Sequence, residues 1–292
     1  MTLRPGGDDH AELTEYTVGA VARLLSLPVA TLRSWNQRYG IGPRQHRPGR
    51  TRYYTSGDLA VAIRMAELVR AGASPASAAR AASMMLEPAP TPGDTAPVID
   101  AAERMDIARL TSLVSAHLVH YGVCDTWNRL CRPVFHTIVE RQVAGQGYID
   151  VEHILSWAVT TSLHRGIPPL VGSGYAPRVL LACAAGEQHL LPLEVLRAAL
   201  AEQRCAAVFL GANLPASALA DALDRRTRGC TVVLWSQSPD TVSPDPIGVA
   251  EARGATVLLA GPGWPRTEYA DGRRHLASLE GALAAITGRE PQ

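Results

Sequence analysis

The chain has 292 residues, 47% of them hydrophobic, and a formal net charge of +1. That length suits two or three domains with separate cores, and the near-neutral balance excludes a uniformly basic nucleic-acid binder, so any such function needs a local concentration of charge. All 28 basic residues are arginine, which a GC-rich coding bias explains without a functional demand.

The opening stretch MTLRPGGDDHAELTE is polar and contains Gly, Pro and Asp, unlike a signal peptide. Order is expected from Tyr16, where TVGAVARLLSL places Val18, Val21, Leu24 and Leu25 on one face of a short helix capped by Thr17. A second helix follows with Pro28 in its first turn; Leu32 and Trp35 point to the core, while Arg33 and Arg38 project elsewhere. GPRQHRPGRTRYY then reads as a β-wing, followed by the capping-type residues Thr55 and Ser56 and the apolar helix DLAVAIRMAELVRAG. Between Glu15 and Ala82 ten arginines stand against three acids, Glu15, Asp58 and Glu67. This segment is the local positive charge that the whole-chain balance conceals.

The Pro-rich stretch over 86–97 has the composition of an extended, solvated linker. Helical periodicity resumes in several pieces over 98–170, which predicts a compact bundle with Trp127 and Trp157 in its core. After Pro177 short apolar runs alternate with helical ones: RVLLACA, LEVLRAALAEQ, CAAVFLGANLP, ASALADALDRR, TVVLWS, IGVAEARG and ATVLLAGPGW. The alternation predicts a parallel sheet over 177–288 in a Rossmann-like or flavodoxin-like α/β domain. Ligands of such sheets sit at the carboxyl ends of the strands, so AAGEQHLLP, GANLP, SQSPD and AGPGW are the loops to build a site. Cys124, Cys131, Cys183, Cys205 and Cys230 lack C-x-x-C spacing and mostly lie in apolar runs, as reduced packing residues of a cytoplasmic, non-membrane protein do. His117 and His120 have the i, i+3 spacing of a metal pair but no further ligand nearby, and read as packing or solvent-facing residues.

Residues 15–85 resemble the MerR family in Tyr16-Thr17-Val18, Thr31-Leu32-Arg33, Trp35-Asn36-Gln37-Arg38-Tyr39-Gly40, and the wing Gly49-Arg50-Thr51-Arg52-Tyr53-Tyr54 leading to Asp58-Leu59. The resemblance implies a winged helix-turn-helix on double-stranded operator DNA, contacted by Thr17, Thr31, Arg33, Arg38, Tyr39, Arg44, Arg50, Arg52 and Tyr53. The helix carrying Arg33 would enter a major groove, and the wing would hold phosphates. It also implies a homo-oligomer, with RNA polymerase as a further partner. No long C-terminal helix is legible, so oligomerisation is expected from the downstream domains.

The bundle and α/β domain resemble the cobalamin-binding module of methionine synthase and of the CarH and LitR group of MerR regulators. In that module a His on an acid-x-His-x-x-Gly loop ligates cobalt from below. The loop Glu187-Gln188-His189-Leu190-Leu191-Pro192 makes His189 the metal ligand and Glu187 its neighbour, with Pro192 in place of the final Gly. Ser236-Gln237-Ser238 and Gly261-Pro262-Gly263 resemble the turns that line the nucleotide tail, and Glu152-His153 the end of the cap motif. Photosensing members carry Trp and His where this chain has Gln142 and Val143, so no stable light-driven bis-imidazole adduct is expected.

Two readings result: a regulator whose DNA affinity is set by a corrinoid at His189, or one whose sensor is cobalamin-independent and answers to another ligand or partner. An enzyme of the mutase or methyltransferase class would need a catalytic barrel for which the chain has no room, and no nucleophile-base constellation is legible.

Overall fold

The structure, a computed structural model, describes residues 15–43, 53–170, 177–225, 229–265 and 275–288. Its contacts divide into two compact units, residues 1–88 and 89–292.

The first unit contains β1 (Tyr16–Thr17), α1 (Val18–Leu24), α2 (Val29–Tyr39), β2 (Tyr53–Tyr54), α3 (Ser56–Arg70) and α4 (Pro75–Ser83). Tyr16, predicted to open onto a helix, pairs antiparallel with Tyr54, and Thr17 then caps α1 by accepting the Ala20 N–H at 3.2 Å. Helix α2 starts one residue after Pro28 and ends at Gly40. Val21, Leu25, Leu32, Trp35, Val61 and Met65 share one buried cluster, which fixes α2 against α1 and α3. Reciprocal caps open α3: the Thr55 hydroxyl accepts the Asp58 N–H, and the Asp58 carboxylate accepts the Thr55 N–H. Thr55→Ala removes this cap without emptying core volume. It is expected to lower this unit's stability by about 1 kcal/mol, seen as a lower urea midpoint at constant m. An unchanged midpoint would mean that solvent replaces the cap at no cost.

The second unit starts with α5 (Ala96–Glu103), α6 (Ile107–Asp125), a π-helical turn (Thr126–Cys131), α7 (Arg132–Val143) and α8 (Ile149–Gly166). The linker predicted over 86–97 is bound in its second half. Tyr121 donates to the Pro90 carbonyl, His117 Nε2 lies 3.2 Å from the Thr91 carbonyl, and α5 already begins at Ala96. His117 Nδ1 also meets the Leu113 carbonyl at 2.9 Å, so both ring nitrogens serve packing. Among the described residues no three His, Cys, Asp or Glu side chains gather as a metal site. Helix α6 breaks at Gly122 (φ 74°, ψ −178°), and the Val123 N–H donates to Glu202 at 3.1 Å.

The α/β part runs β3 (Val179–Cys183), α9 (Leu191–Glu202), β4 (Ala207–Phe209), α10 (Ala216–Asp224), β5 (Thr231–Trp235), α11 (Asp245–Ala252), β6 (Thr256–Ala260), β7 (His275–Leu276) and α12 (Leu279–Thr287). The strands form one parallel sheet in the order β4-β3-β5-β6-β7. Side chains of a strand alternate between faces. Thus Leu181, Cys183 and Val233 join Leu193, Leu196 and Leu283 and the bundle in one continuous core, whereas Leu180, Val232 and Leu259 pack with Leu219, Leu223 and Ile247 on the other side. Strand order reverses between β3 and β5, where open α/β sheets leave a crevice at the strand ends. No helix among the described residues is long and apolar enough to cross a membrane.

Candidate functional site

Arg33 and Arg38 are exposed on α2, which buried Leu32 and Trp35 anchor to the core. Thr17 is exposed at the start of α1, Thr31 and Tyr39 are half-buried, and Tyr53 on β2 is 42% exposed. Arg44, Arg50 and Arg52 lie outside the described residues.

In the second unit the loop after β3 turns back on itself. Glu187 is 1% exposed, and its Oε1 accepts both the His189 backbone N–H at 2.8 Å and a hydrogen bond from His189 Nδ1 at 2.7 Å. Its Oε2 accepts the Gln237 N–H at 2.6 Å and the Thr241 hydroxyl at 3.0 Å. Burial alone would raise the Glu187 pKa. The His189 and Gln237 backbone N–H groups, the His189 ring and the Thr241 hydroxyl outweigh it and lower the value to about 2. An ionised carboxylate only accepts, so the proton of the contact sits on Nδ1, and Nε2 is the ring nitrogen left without this partner. The His189 side chain is 61% exposed, so Nε2 is accessible. Asn213 fixes the rest of the loop by accepting the Gly186 N–H at 2.6 Å and donating its own N–H to the Glu187 carbonyl at 2.8 Å. Pro192, the departure from the resembled pattern, sits in the first turn of α9, where its missing N–H costs no helical bond.

The other two predicted loops join this network. The fully buried Ser236 hydroxyl donates to the Ser238 carbonyl at 2.8 Å and lies 2.6 Å from the Thr241 hydroxyl. The Gly263 N–H donates to the Ser236 carbonyl at 3.0 Å. A Cβ on Gly261, which has φ +102°, would stand 2.2 Å from the Ser236 carbonyl oxygen, and one on Gly263 would stand 2.4 Å from the Ser236 hydroxyl. Both positions therefore exclude any side chain. Glu187, His189, Ser236, Ser238, Gly261 and Gly263 thus gather at the carboxyl ends of β3, β5 and β6. Thr241 and Asn213, which sequence reasoning missed, tie the loops together.

Glu152 and His153 sit apart. Glu152 accepts from Gln142 Nε2 at 2.7 Å, His153 is exposed, and among the described residues no hydrogen bond joins either to the Glu187–His189 loop. Val143 is 85% exposed. Beside Gly261 opens a cavity of about 620 Å³ lined by Trp127, Arg132, Leu196, Trp235, Gly261 and Leu279. Trp127, predicted as core, packs on Phe135 but also lines this cavity from the π-helical turn. Trp157, also predicted as core, is 49% exposed.

Residues 16–84 match the family of MerR HTH regulatory proteins. Over 210 residues, 69% of this chain and 70% of the relative, the chain is 25% identical to the HTH-type transcriptional repressor CarA of Myxococcus xanthus. Over 227 residues, 71% and 74% of the two chains, it is 24% identical to the HTH-type transcriptional repressor CarH of the same organism. Of solved structures, the monomethylamine corrinoid protein of Methanosarcina barkeri is similar at a TM-score of 0.48 and 12% identity, over 66% of this chain and 96% of that one. A cobalamin-binding protein of Desulfitobacterium hafniense gives 0.34 and 13%, over 65% and 96%. Residues 16–84 thus form a MerR HTH domain, and the chain is similar to the transcriptional repressors CarA and CarH over about 70% of its length.

Proposed function

We propose that the chain is a non-enzymatic, cytoplasmic regulator that binds double-stranded operator DNA through α2 and the wing as a homo-oligomer, in the path of RNA polymerase, with affinity set by a corrinoid. Both curated relatives are named repressors, and repression is the direction adopted. Residues 15–85 are the DNA-binding domain, 98–170 the helical cap and 177–288 the cofactor domain.

The observation that carries the corrinoid reading is the Glu187–His189 pair: a buried carboxylate orients the ring through Nδ1 and leaves Nε2 on an exposed side chain. Metal-binding imidazoles are held in this way by a second group. The remaining donor set fits as well. The side-chain-free turn at Gly261 and Gly263 adjoins a cavity within the range of about 300–1,000 Å³ usual for small-molecule sites. When bound, cobalamin supplies a cobalt ion that accepts an imidazole nitrogen. The chain's own part is to present Nε2, to keep the proton on Nδ1, and to offer the cavity to the tail.

The test is an absorbance titration of the full chain with hydroxocobalamin, together with operator-binding anisotropy with and without it. A histidine-coordination spectrum accompanied by altered DNA affinity supports the reading; no spectral change well above micromolar cobalamin removes it. In the same assay Arg33→Ala should weaken operator binding by roughly 1 to 3 kcal/mol while sparing random-sequence DNA, as expected of a base-reading arginine. Equal losses on both DNAs would assign Arg33 to phosphate instead.

A further inference from the structure

Of the five tryptophans, Trp35, Trp127, Trp235 and Trp264 belong to or pack on the core clusters, whereas Trp157 does not and is 49% exposed on α8. Indole is the largest apolar side chain, so leaving half of it in water forgoes burial that the fold could use. Its position along the helix is informative. With 3.6 residues per turn, His153, Trp157, Thr160 and His164 fall within about 60° of one another, a single stripe opposite the buried Val151, Leu155, Val159 and Ser162.

The far end of that stripe is already placed. His164 Nε2 lies 2.9 Å from Glu194 Oε2 in the first turn of α9, five residues beyond His189. Glu194 is 6% exposed and also accepts from buried Arg197 at 2.9 Å, so the joint is firm. The stripe therefore starts beside the helix that the His189 loop runs into. Trp157 stands about 10 Å along the axis from His164, and His153 about 6 Å further, which are separations on the scale of a planar macrocycle.

We propose that this face of α8 covers the ligand held at His189, with Trp157 as the aromatic surface in contact with it and His153 at the outer edge. The proposal rests on the corrinoid reading above. It also gives this chain an aromatic lid residue, since Gln142 stands at the position of the resembled motif's tryptophan and is occupied with Glu152. Trp157 supplies the apolar face from one turn beyond His153.

The experiment uses the full chain labelled with 5-fluorotryptophan, its Trp157 resonance assigned by its loss in Trp157→Phe, and hydroxocobalamin as the probe. The expected result is a ligand-induced shift of the Trp157 ¹⁹F resonance and none at Trp35. Trp157→Ala should bind roughly tenfold more weakly with the histidine-coordination spectrum preserved, and Trp157→Phe should recover most of the affinity. Because Trp157 is half exposed, Trp157→Ala should leave ligand-free melting nearly unchanged, which separates lost contact from lost folding. A bound, histidine-coordinated cobalamin with an unmoved Trp157 resonance and unaltered Trp157→Ala affinity overturns the lid alone. A change of oligomeric state in Trp157→Ala without a change of affinity also overturns it, making Trp157 a contact between copies. No binding by the wild type overturns both readings.

Discussion

His189→Ala in the full chain is expected to abolish the histidine-coordination spectrum and the cobalamin-dependent rise in melting temperature. In the wild type, a ligand present at a hundred times its Kd stabilises the folded state by about 2.7 kcal/mol, and this increment should vanish with the imidazole. Glu187→Gln is the informative partner. It keeps the side-chain volume but replaces an acceptor-only carboxylate by an amide, so Nδ1 no longer has a partner that requires its proton. Affinity should then fall by about 10 to 100-fold, as when outer-shell partners of metal ligands are removed, with some histidine coordination retained. A His189→Ala protein with the wild-type spectrum and thermal shift would place the ligand elsewhere.

The second large effect is on stability. Gly261→Ala would force a Cβ to within 2.2 Å of a backbone oxygen at a φ of +102°, so one of two loops must move. The displaced partner is the backbone of Ser236, whose side chain reaches Thr241 and through it Glu187. A cost of about 3 kcal/mol or more is expected, a large share of a domain's usual 5 to 15 kcal/mol. Gly254 provides the control, since its φ is +72° but nothing lies within 4 Å of the place a Cβ would take. Gly254→Ala should therefore cost only the conformational part, about 1 kcal/mol. Equal denaturant midpoints for the two variants would show that the loops yield freely.

Much of this architecture is legible in the sequence because it rests on local pattern. The alternation of apolar strands and helices after Pro177 gives the parallel sheet, and the strand-end loops give the residues that converge there. What escapes is tertiary. The return of Glu187 onto its neighbour two residues along depends on N–H and hydroxyl donors from Gln237 and Thr241, about fifty positions away. The break at Gly122 and the π-helical turn after it interrupt a stretch whose composition is ordinary helix, and that turn carries Trp127, which lines the cavity. The second half of the predicted linker is held by Tyr121 and His117, partners that proline content cannot reveal. For Trp157 a signal was present: it shares a helical face with His153 and His164, so large apolar character alone misplaced it in the core.

Helix α9 is held near both ends by groups from the bundle. Glu194 meets His164 of α8 in its first turn, and Glu202 accepts the Val123 N–H of α6 in its last. Mechanically it is a beam fixed at two supports rather than a cantilever. A displacement imposed where the His189 loop enters cannot be dissipated by fraying of the far end. A load entering through the His189 loop would pass to α8 and α6 through Glu194 and Glu202 as well as through the buried face of α9.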